Sequence, residues 1–247
     1  MDRLIYTAMT GASHILNQQA TVSNNLANVN TPGFRASIDA FRSVPLQGEG
    51  LPTRTFVVDS TAGTDFTPGV MQQTGRALDV AVEGKGWIAV QDANGNEAYT
   101  RNGSLQMSPN GVLQTRSGLT VMGDAGPLTI PPDTQITIAG DGTISTVPTT
   151  NQKNGVIVVG RIKLTNPPEA QLVRGEDGLF RTRDGAPAPA DAAVRVVGGS
   201  LEGSNVNTVE AMVSMITLAR QFDTHMKLLQ SADDNAKRAS TVLTVNG

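Results

Sequence analysis

The sequence of 247 residues contains no cysteine, only two histidines and few aromatic residues, namely one tryptophan, two tyrosines and six phenylalanines. Without cysteine the chain forms no disulfide, binds no zinc through thiolates and offers no thiol nucleophile. His14 and His225 lie near opposite ends of the chain, which argues against a histidine-rich metal site or a histidine-based catalytic triad. So few aromatic side chains also argue against a site that stacks rings or bases. The composition predicts a protein without a metal and without a cofactor.

Positive charge and long apolar runs are also scarce. The 19 basic and 22 acidic residues leave a net charge of −3, so no dense positive field favours nucleic-acid binding. The longest purely aliphatic run, residues 156–159, is far shorter than the ~18 apolar residues of a membrane span. Residues 1–19 lack the apolar core and the basic head of a signal peptide. We therefore expect no membrane insertion, and a protein that is either cytoplasmic or exported without a cleaved signal.

The first of three composition regimes covers residues 4–34, none of which is Asp, Glu, Lys or Arg. Within it, residues spaced alternately by three and four positions predict a helix with a coiled-coil stripe. This N-terminal stripe consists of Ile5, Ala8, Ala12, Ile15, Gln19, Val22, Leu26 and Val29. The flanks of the helix are polar, uncharged and mediocre helix formers, so its stability must come mostly from neighbouring helices.

The last regime, residues 205–243, contains no glycine or proline and repeats the same alternating spacing. This C-terminal stripe consists of Met212, Met215, Ala219, Phe222, Met226, Leu229, Ala236 and Leu243, with the polar Asp233 and Ser240 at two further positions. We predict that both stripes are assembly interfaces, within a subunit and between subunits. The alternative is a pair of ordinary amphipathic helices packed on the middle of the chain, but stripes this narrow and long favour the coiled coil.

The middle regime, residues 35–200, is rich in Gly, Pro, Asp and Asn and carries short β-branched runs. Pairs such as Asn94-Gly95 and Asp141-Gly142 separate these runs at short intervals, which predicts antiparallel strands in a sandwich or barrel. Residues 43–75 carry scattered proline and glycine and predict an extended linker that could add strands.

The expected fold class is therefore α+β, with long N- and C-terminal helices that form a coiled-coil-like pair and a central, mainly antiparallel β domain. The predicted domain boundaries are an N-terminal helix over residues 1–34, an extended linker over 35–75, a β-rich domain over 76–200 and a C-terminal helix over 201–247.

No combination of residues predicts catalysis. Residues 84–89 fit the pattern G-x-G-x-x-A, but the chain beyond them continues as a strand instead of opening a helix, so a turn is the better interpretation. Asp92, Asn94 and Asn96 imitate the start of a calcium loop, yet Glu97 stands where that loop requires glycine. We predict that the protein is not an enzyme.

Three segments carry a resemblance to a known family. Residues 23–34, S-N-N-L-A-N-V-N-T-P-G-F, have the asparagine, proline and glycine of a helix end. Beyond that, the segment resembles the N-terminal signature of the flagellar rod and hook proteins, through Asn24, Asn25, Ala27, Asn28, Thr31, Pro32, Gly33 and Phe34. Residues 78–87 and 99–103 are similar to the central signature of that family, and residues 202–212 to the signature that opens its last helix.

The resemblance implies a structural protein of the bacterial flagellum. Members of the family are exported unfolded through the flagellar type III apparatus and assemble helically across the periplasm. Their terminal helices form the inner layer of the rod, their β domain faces outward, and the rod transmits motor torque. The expected partners are other rod proteins, copies of the same chain and the export apparatus, and the expected location is the periplasmic rod of the basal body.

Within the family, residues 1–9 and 53–55 are most similar to a proximal rod subunit. A distal rod or hook subunit of the same family is the near alternative. Outside the family, a secreted binding module or a secreted enzyme on the β scaffold is the competing hypothesis.

Overall fold

The computed structural model describes residues 2–45, 55–149 and 155–245. Its contacts divide the chain into two units. The helical unit comprises residues 1–28, 36–65 and 206–247, and the β unit comprises residues 29–35 and 66–205. The predicted α+β class is confirmed, since two long helices stand at the chain ends and the strands between them pair antiparallel.

The helical unit is built from two helices and one hairpin. Helix α1 spans Asp2–Ala27 and helix α2 spans Thr208–Val245, which makes them about 39 and 57 Å long at 1.5 Å per residue. The two helices pack against each other. Strand β1 (Ser37–Pro45) pairs antiparallel with strand β2 (Thr55–Thr64), and β1 also packs on α1.

The hairpin of β1 and β2 lies in the segment predicted as an extended linker. Its register runs from Ser37 opposite Thr64 to Pro45 opposite Thr55, with an irregularity between Asp39 and Phe41. Burial alternates along the first half of β1, as expected for a strand with one face against other residues. The described part of this segment therefore adds strands, as the sequence allowed, and Pro45 stands at the last position of β1 rather than inside it.

Local hydrogen bonds mark the end of α1 and the start of α2. The side-chain amide of Asn28 donates to the carbonyl of Asn24 at 2.9 Å, which ends α1 at Ala27, short of the predicted boundary at residue 34. At the start of α2, Oδ1 of Asn207 accepts the backbone N–H of Val209 at 3.1 Å and that of Glu210 at 3.4 Å. Asparagine is one of the preferred residues at this N-cap position, because its side chain satisfies N–H groups that the first turn leaves unpaired.

The β unit contains sixteen short strands among the described residues. They are β3 (Met71–Gln73), β4 (Val80–Glu83), β5 (Trp87–Gln91), β6 (Glu97–Thr100), β7 (Leu105–Met107), β8 (Leu113–Thr115), β9 (Thr120–Gly123), β10 (Gly126–Pro127), β11 (Thr134–Ile138), β12 (Thr143–Pro148), β13 (Ile157–Arg161), β14 (Leu164–Thr165), β15 (Leu172–Arg174), β16 (Phe180–Thr182), β17 (Arg195–Gly198) and β18 (Ser200–Glu202). A single-turn 3₁₀ helix spans Glu169–Gln171.

The strands of the β unit form four antiparallel sheets. The largest has nine strands in the order β15-β16-β6-β5-β9-β8-β7, with β10 beside β9 and β14 beside β5. A second has the order β11-β12-β13, and β17 with β4 and β18 with β3 form two-stranded ribbons. The main core is aliphatic and fully enclosed, and its members include Val80, Ile88, Val90, Leu105, Leu113, Ile144 and Ile162. A smaller aromatic cluster joins Trp87, Tyr99 and Phe180.

Candidate assembly surfaces

The N-terminal stripe lies at the junction of α1 and α2 for most of its length. Ala8, Ala12 and Ile15 are buried, while Ile5, Gln19, Val22 and Leu26 are half-buried. The last predicted member, Val29, follows the end of α1 and belongs to the β unit. The stripe therefore faces the interior of the helical unit along α1 and stops where the helix stops.

Small residues let the two helices approach closely. Gly11 lies on α1 opposite His225 of α2, and a Cβ atom at Gly11 would stand 2.6 Å from Cε1 of that imidazole ring. Such a distance is shorter than any real contact, so a larger residue would require either the His225 ring or the helices to move. Ala8 and Ala12 flank this glycine with the smallest other side chains. The helix contact is therefore tight, but it encloses little apolar area.

On α2 the enclosed face includes only some of the residues that were predicted for the C-terminal stripe. Leu218 and Ala232 are buried, and the half-buried positions Met215, Phe222, His225 and Leu229 complete an alternating spacing with them. The predicted members Met212, Ala219 and Met226 are instead exposed. The side chains of Ala236 and Leu243 lie outside the described part of the structure.

The exposure of predicted stripe residues such as Ala219 and Met226 has a physical reason. Each exposed residue of this stripe is the direct neighbour of a more enclosed one, Ala219 of Leu218 and Met226 of His225. Neighbouring residues point about 100° apart around a helix. A pattern based on hydrophobicity selects Met226 rather than His225, because methionine is the more hydrophobic residue. The flat imidazole of His225 fits over Gly11, which no pattern along α2 alone reveals.

Large apolar side chains also project from both helices into solvent. On α1 they are Tyr6, Met9 and Leu16, which are 57, 55 and 49% exposed. On α2 they are Val209, Met212, Val213, Ile216, Met226 and Leu228. We call these nine residues the exposed apolar set. The spacing of Val209, Met212, Val213 and Ile216 places these four on one face of α2, and contiguous exposed apolar patches mark surfaces that bind other proteins.

Polar side chains of α1, among them Asn25 of the N-terminal signature, bind the strands β1 and β2. Asn25 Nδ2 donates to the carbonyl of Ser37, and the Ser37 N–H donates to Asn25 Oδ1, both at 2.9 Å. Thr21 Oγ1 donates to Asp39 Oδ1, also at 2.9 Å. Nearer the start of α1, Nε2 of His14 donates to the carbonyl of Val57 at 2.7 Å. These bonds attach the hairpin to the helix.

A groove of about 440 Å³ opens between α1, β1 and α2 within the helical unit. Its lining is mixed, and it includes Gln18, Val22, Asn25, Ile38, Val213 and Leu218. Ile38 and Val213 are at least half exposed. The groove therefore offers both apolar contact and amide groups beside the exposed apolar set.

The second half of the N-terminal signature belongs to the β unit. Gly33 has a φ of +69° and lies against the backbone of Arg101 and Asn102, where a Cβ atom would overlap with main-chain atoms. Glycine is the residue that both the left-handed φ and this close approach allow. Phe34 is buried, with the guanidinium of Arg174 over its ring at 4.4 Å. The signature is thus a helix end joined to a docking segment.

No cluster of side chains that could hold a metal ion occurs among the described residues. Within residues 2–45, 55–149 and 155–245, no group of three or more His, Asp or Glu side chains is placed to hold a metal ion. Asp92, the first residue of the segment that imitates a calcium loop, accepts the N–H groups of Asn94 and Asn96 at 2.9 Å and pairs with Arg181. Over the same residues, neither α1 nor α2 combines the length and the hydropathy that crossing a bilayer requires.

Three family models match successive parts of the chain. Residues 5–35 match the model described as flagella basal body rod protein. Residues 81–146 match the D1 domain of the flagellar hook proteins FlgE, FlgF and FlgG. Residues 197–242 match the C-terminal model of the flagellar basal body rod proteins FlgE, FlgF and FlgG. The three matches coincide with the three segments on which the sequence resemblance rests.

Curated relatives match over the whole chain. The flagellar basal-body rod protein FlgF of Escherichia coli (strain K12) is 51% identical over 253 residues, covering 100% of both chains. FlgF of Salmonella typhimurium is 48% identical over 252 residues, again covering 100% of both. The flagellar basal-body rod protein FlgG of Bacillus subtilis (strain 168) is 28% identical over 257 residues, covering 95% of this chain and 96% of that one.

Proposed function

Because the chain belongs to the FlgF family of flagellar basal-body rod proteins, we propose that it joins the rod through its two terminal helices. Membership of this family makes the protein a structural subunit of the basal-body rod and not an enzyme. The proposal assigns different roles to two kinds of helix surface. Buried stripe residues hold α1 on α2 within the subunit, and the exposed apolar set packs against helices of neighbouring subunits.

The observation that carries this proposal is the exposure of large apolar side chains on α1, a helix that carries no charged residue after Arg3. From residue 4 to residue 34 the chain has no formal charge, and on α1 Tyr6, Met9 and Leu16 are about half exposed. A helix that remains in water normally carries charge pairs on its outer face. An uncharged face suits burial among other helices, since desolvating unpaired charges there would cost several kcal/mol.

We further propose that α1 and α2 pack with coiled-coil geometry and that subunits repeat along a helical assembly. The alternating spacing of Ala8, Ala12 and Ile15 on α1, and of Leu218, Phe222 and His225 on α2, supports this packing. A surface that binds a different surface on the next copy produces an open helical array when the rotation between copies does not close into a ring. The β unit then carries no part of the helical core and faces outward.

The family resemblance also supports a location and a route. We place the subunit in the proximal part of the rod, in the periplasm, where it transmits motor torque among other rod proteins and copies of itself. It reaches that location through the flagellar type III export apparatus. Low intrinsic helicity of α1 agrees with export as an unfolded chain that folds when it meets its partners.

A pair of neighbouring substitutions on α1 tests the assembly proposal. Leu16→Asp places a charge within the exposed apolar set, and Asn17→Asp places the same charge at the next residue, which is exposed and polar. Each variant is expressed in cells that lack the native gene, and its amount in isolated basal bodies is measured together with swimming. We expect Leu16→Asp to lose at least about nine-tenths of its incorporation, since an unpaired charge would be buried against the neighbour.

The control decides what the result means. Asn17→Asp is expected to retain incorporation, and both purified variants should keep the circular dichroism spectrum of the parent. Normal rods and swimming with Leu16→Asp would refute the proposed surface. Equal loss in both variants would show that any added charge on α1 blocks assembly, which also contradicts a specific role for the exposed apolar set.

A further inference from the structure

Glu202 lies at the centre of a buried ionic network in the β unit. Its side chain is 1% exposed, and its two oxygens pair with two different arginines. Oε1 lies 2.7 Å from Nη2 of Arg35, and Oε2 lies 3.0 Å from Nη1 of Arg101. Oε1 also accepts the backbone N–H of Gly69 at 2.9 Å. One carboxylate thus connects residues that lie far apart in the sequence.

The two arginines depend on this carboxylate. Both are buried, and each leaves its Nε atom enclosed without a hydrogen-bond partner among the described residues. Burial lowers the pKa of Arg101, and the attraction of Glu202 opposes that change. Two cations share one anion, so removing the anion would leave two buried charges without a counter-charge. Breaking a buried pair in this way is strongly destabilising.

The network joins the segments by which the chain enters and leaves the β unit. The chain passes between the units after residues 28, 35, 65 and 205. Arg35 stands at the second of these points, and its Nη1 donates to the carbonyl of Thr67 at 2.8 Å, just beyond the third. Glu202 stands just before the fourth, and its carbonyl accepts the N–H of Gly33 at 2.8 Å.

Further hydrogen bonds made by Asn205 connect the same segments of the chain. Nδ2 of Asn205 donates to the carbonyl of Thr67 at 3.1 Å and contacts its hydroxyl at 3.3 Å. The backbone N–H of Asn205 donates to the carbonyl of Phe34 at 3.4 Å. Residues 33–35, 67–69 and 202–205 are therefore bound to one another in all three pairwise combinations. We call these three segments the crossing segments.

We propose that Glu202, with Arg35 and Arg101, is a clamp that holds the crossing segments together, so that they open or stay closed as one unit. Well-packed apolar residues usually stabilise a core at least as well as buried ions, so stability alone is a weak reason for this network. Three directed contacts of one carboxylate instead fix which segment lies beside which. Force on any one chain connection is then shared by the others. For the rod this last consequence rests on the proposed function, but the clamp itself does not.

The test compares two charge-neutralising variants of the full-length protein. Glu202→Gln removes the central anion of the clamp, and Glu97→Gln removes the anion of the Glu97–Lys163 pair, which is also largely enclosed in the β unit but lies outside the crossing segments. Amide hydrogen exchange is measured by mass spectrometry on the purified monomer. In Glu202→Gln we expect exchange in all three crossing segments to accelerate together, by about a hundredfold, while Glu97→Gln leaves these segments protected.

A second variant keeps the proposal testable if Glu202→Gln does not fold. Arg35→Met leaves Glu202 and Arg101 as a balanced pair and removes the contacts to Thr67 and Glu202. The clamp predicts faster exchange at residues 67–69 and 202–205 as well as at 33–35. Acceleration confined to residues 33–35, no acceleration in either variant, or the same uniform rise in Glu97→Gln would each overturn the clamp. Since the monomer is measured, none of these results depends on whether the rod assembles.

Discussion

The helical unit and the β unit differ in how completely each encloses its own apolar residues. In the β unit Ile88, Leu105, Leu113 and Ile144 have no exposed surface. In the helical unit the most enclosed large side chain that is described, Ile15, is still 6% exposed. The exposed apolar set adds nine large side chains in that unit that remain in contact with solvent. The β unit also exposes large apolar side chains, such as Val70, Val156 and Val158, but it encloses a core without exposed surface, which the described part of the helical unit does not. We propose that other chains cover the exposed apolar set.

The physical reason for the difference is geometric. Two helices and a hairpin share one narrow contact, and on α1 that contact is made largely by Ala8, Gly11 and Ala12, which have little apolar area to bury. The sheets of the β unit pack on several sides and exclude water from large aliphatic residues. Apolar area removed from water contributes about 25 cal/mol per Å². We therefore expect most of the stability of an isolated subunit to reside in the β unit.

The largest expected effect comes from a cavity in the β unit. Ile88→Ala removes most of a fully enclosed side chain, and we expect the free energy of unfolding to fall by about 2–5 kcal/mol. Urea denaturation of the purified protein measures the change. Ile157→Ala is the control, because that isoleucine is 48% exposed on β13 and should lose no more than about 0.5 kcal/mol. Similar losses in the two variants would contradict the contrast between enclosed and exposed positions.

A polar contact in the same unit has a smaller expected effect. The hydroxyl of Tyr99 accepts the N–H of Ala188 at 2.6 Å and donates to Glu97 at 2.9 Å. Tyr99→Phe leaves that N–H without its acceptor, so we expect a loss of about 1–3 kcal/mol near neutral pH. Tyr6→Phe is the matched control, since Tyr6 is the other tyrosine of the chain and is exposed. Urea midpoints of the three proteins decide this prediction.

Tyr99 also makes the stability of the β unit sensitive to alkali. Burial is the main cause that raises the pKa of Tyr99 to about 12, while a tyrosine in the unfolded chain ionises near 10. The neutral phenol thus stabilises the fold fully below pH 10, and that contribution is lost as the pH rises from 10 to 12. The loss should reach about 2–3 kcal/mol and be absent from Tyr99→Phe. An unchanged alkaline slope in that variant would remove Tyr99 as the cause.

The smallest expected effect on the isolated subunit lies in the helical unit. Leu16→Ala shortens a side chain that is already half exposed, so the free energy of unfolding should change by no more than about 0.5 kcal/mol. The same variant should be incorporated into rods less well than the parent, because its missing atoms would have packed against a neighbour. Quantifying the subunit in basal bodies measures this. A large loss of monomer stability would indicate that Leu16 packs within its own subunit.

Much of the helical unit and of the family assignment could be predicted from local patterns. Pro32 and Gly33 mark the end of a helix wherever they occur in such a context. The spacing of Ala8, Ala12 and Ile15 identifies one face of α1 without any knowledge of α2. Two other features could not be predicted from local patterns, because they depend on contacts between residues far apart in the sequence. The hairpin at residues 37–64 depends on pairing between distant residues, and the enclosed face of α2 depends on the shape of α1 at Gly11.

Residue types and spacings within single segments were enough to predict the order of helix, strands and helix, the resemblance to flagellar rod proteins and the absence of an enzyme activity. The folded chain was needed to show that His225 lies over Gly11, that Asn25 attaches β1 to α1, and that Arg35, Arg101 and Glu202 meet in one buried network. These contacts join residues from separate segments of the chain. No periodicity along one element specifies which side chain of another will stand opposite.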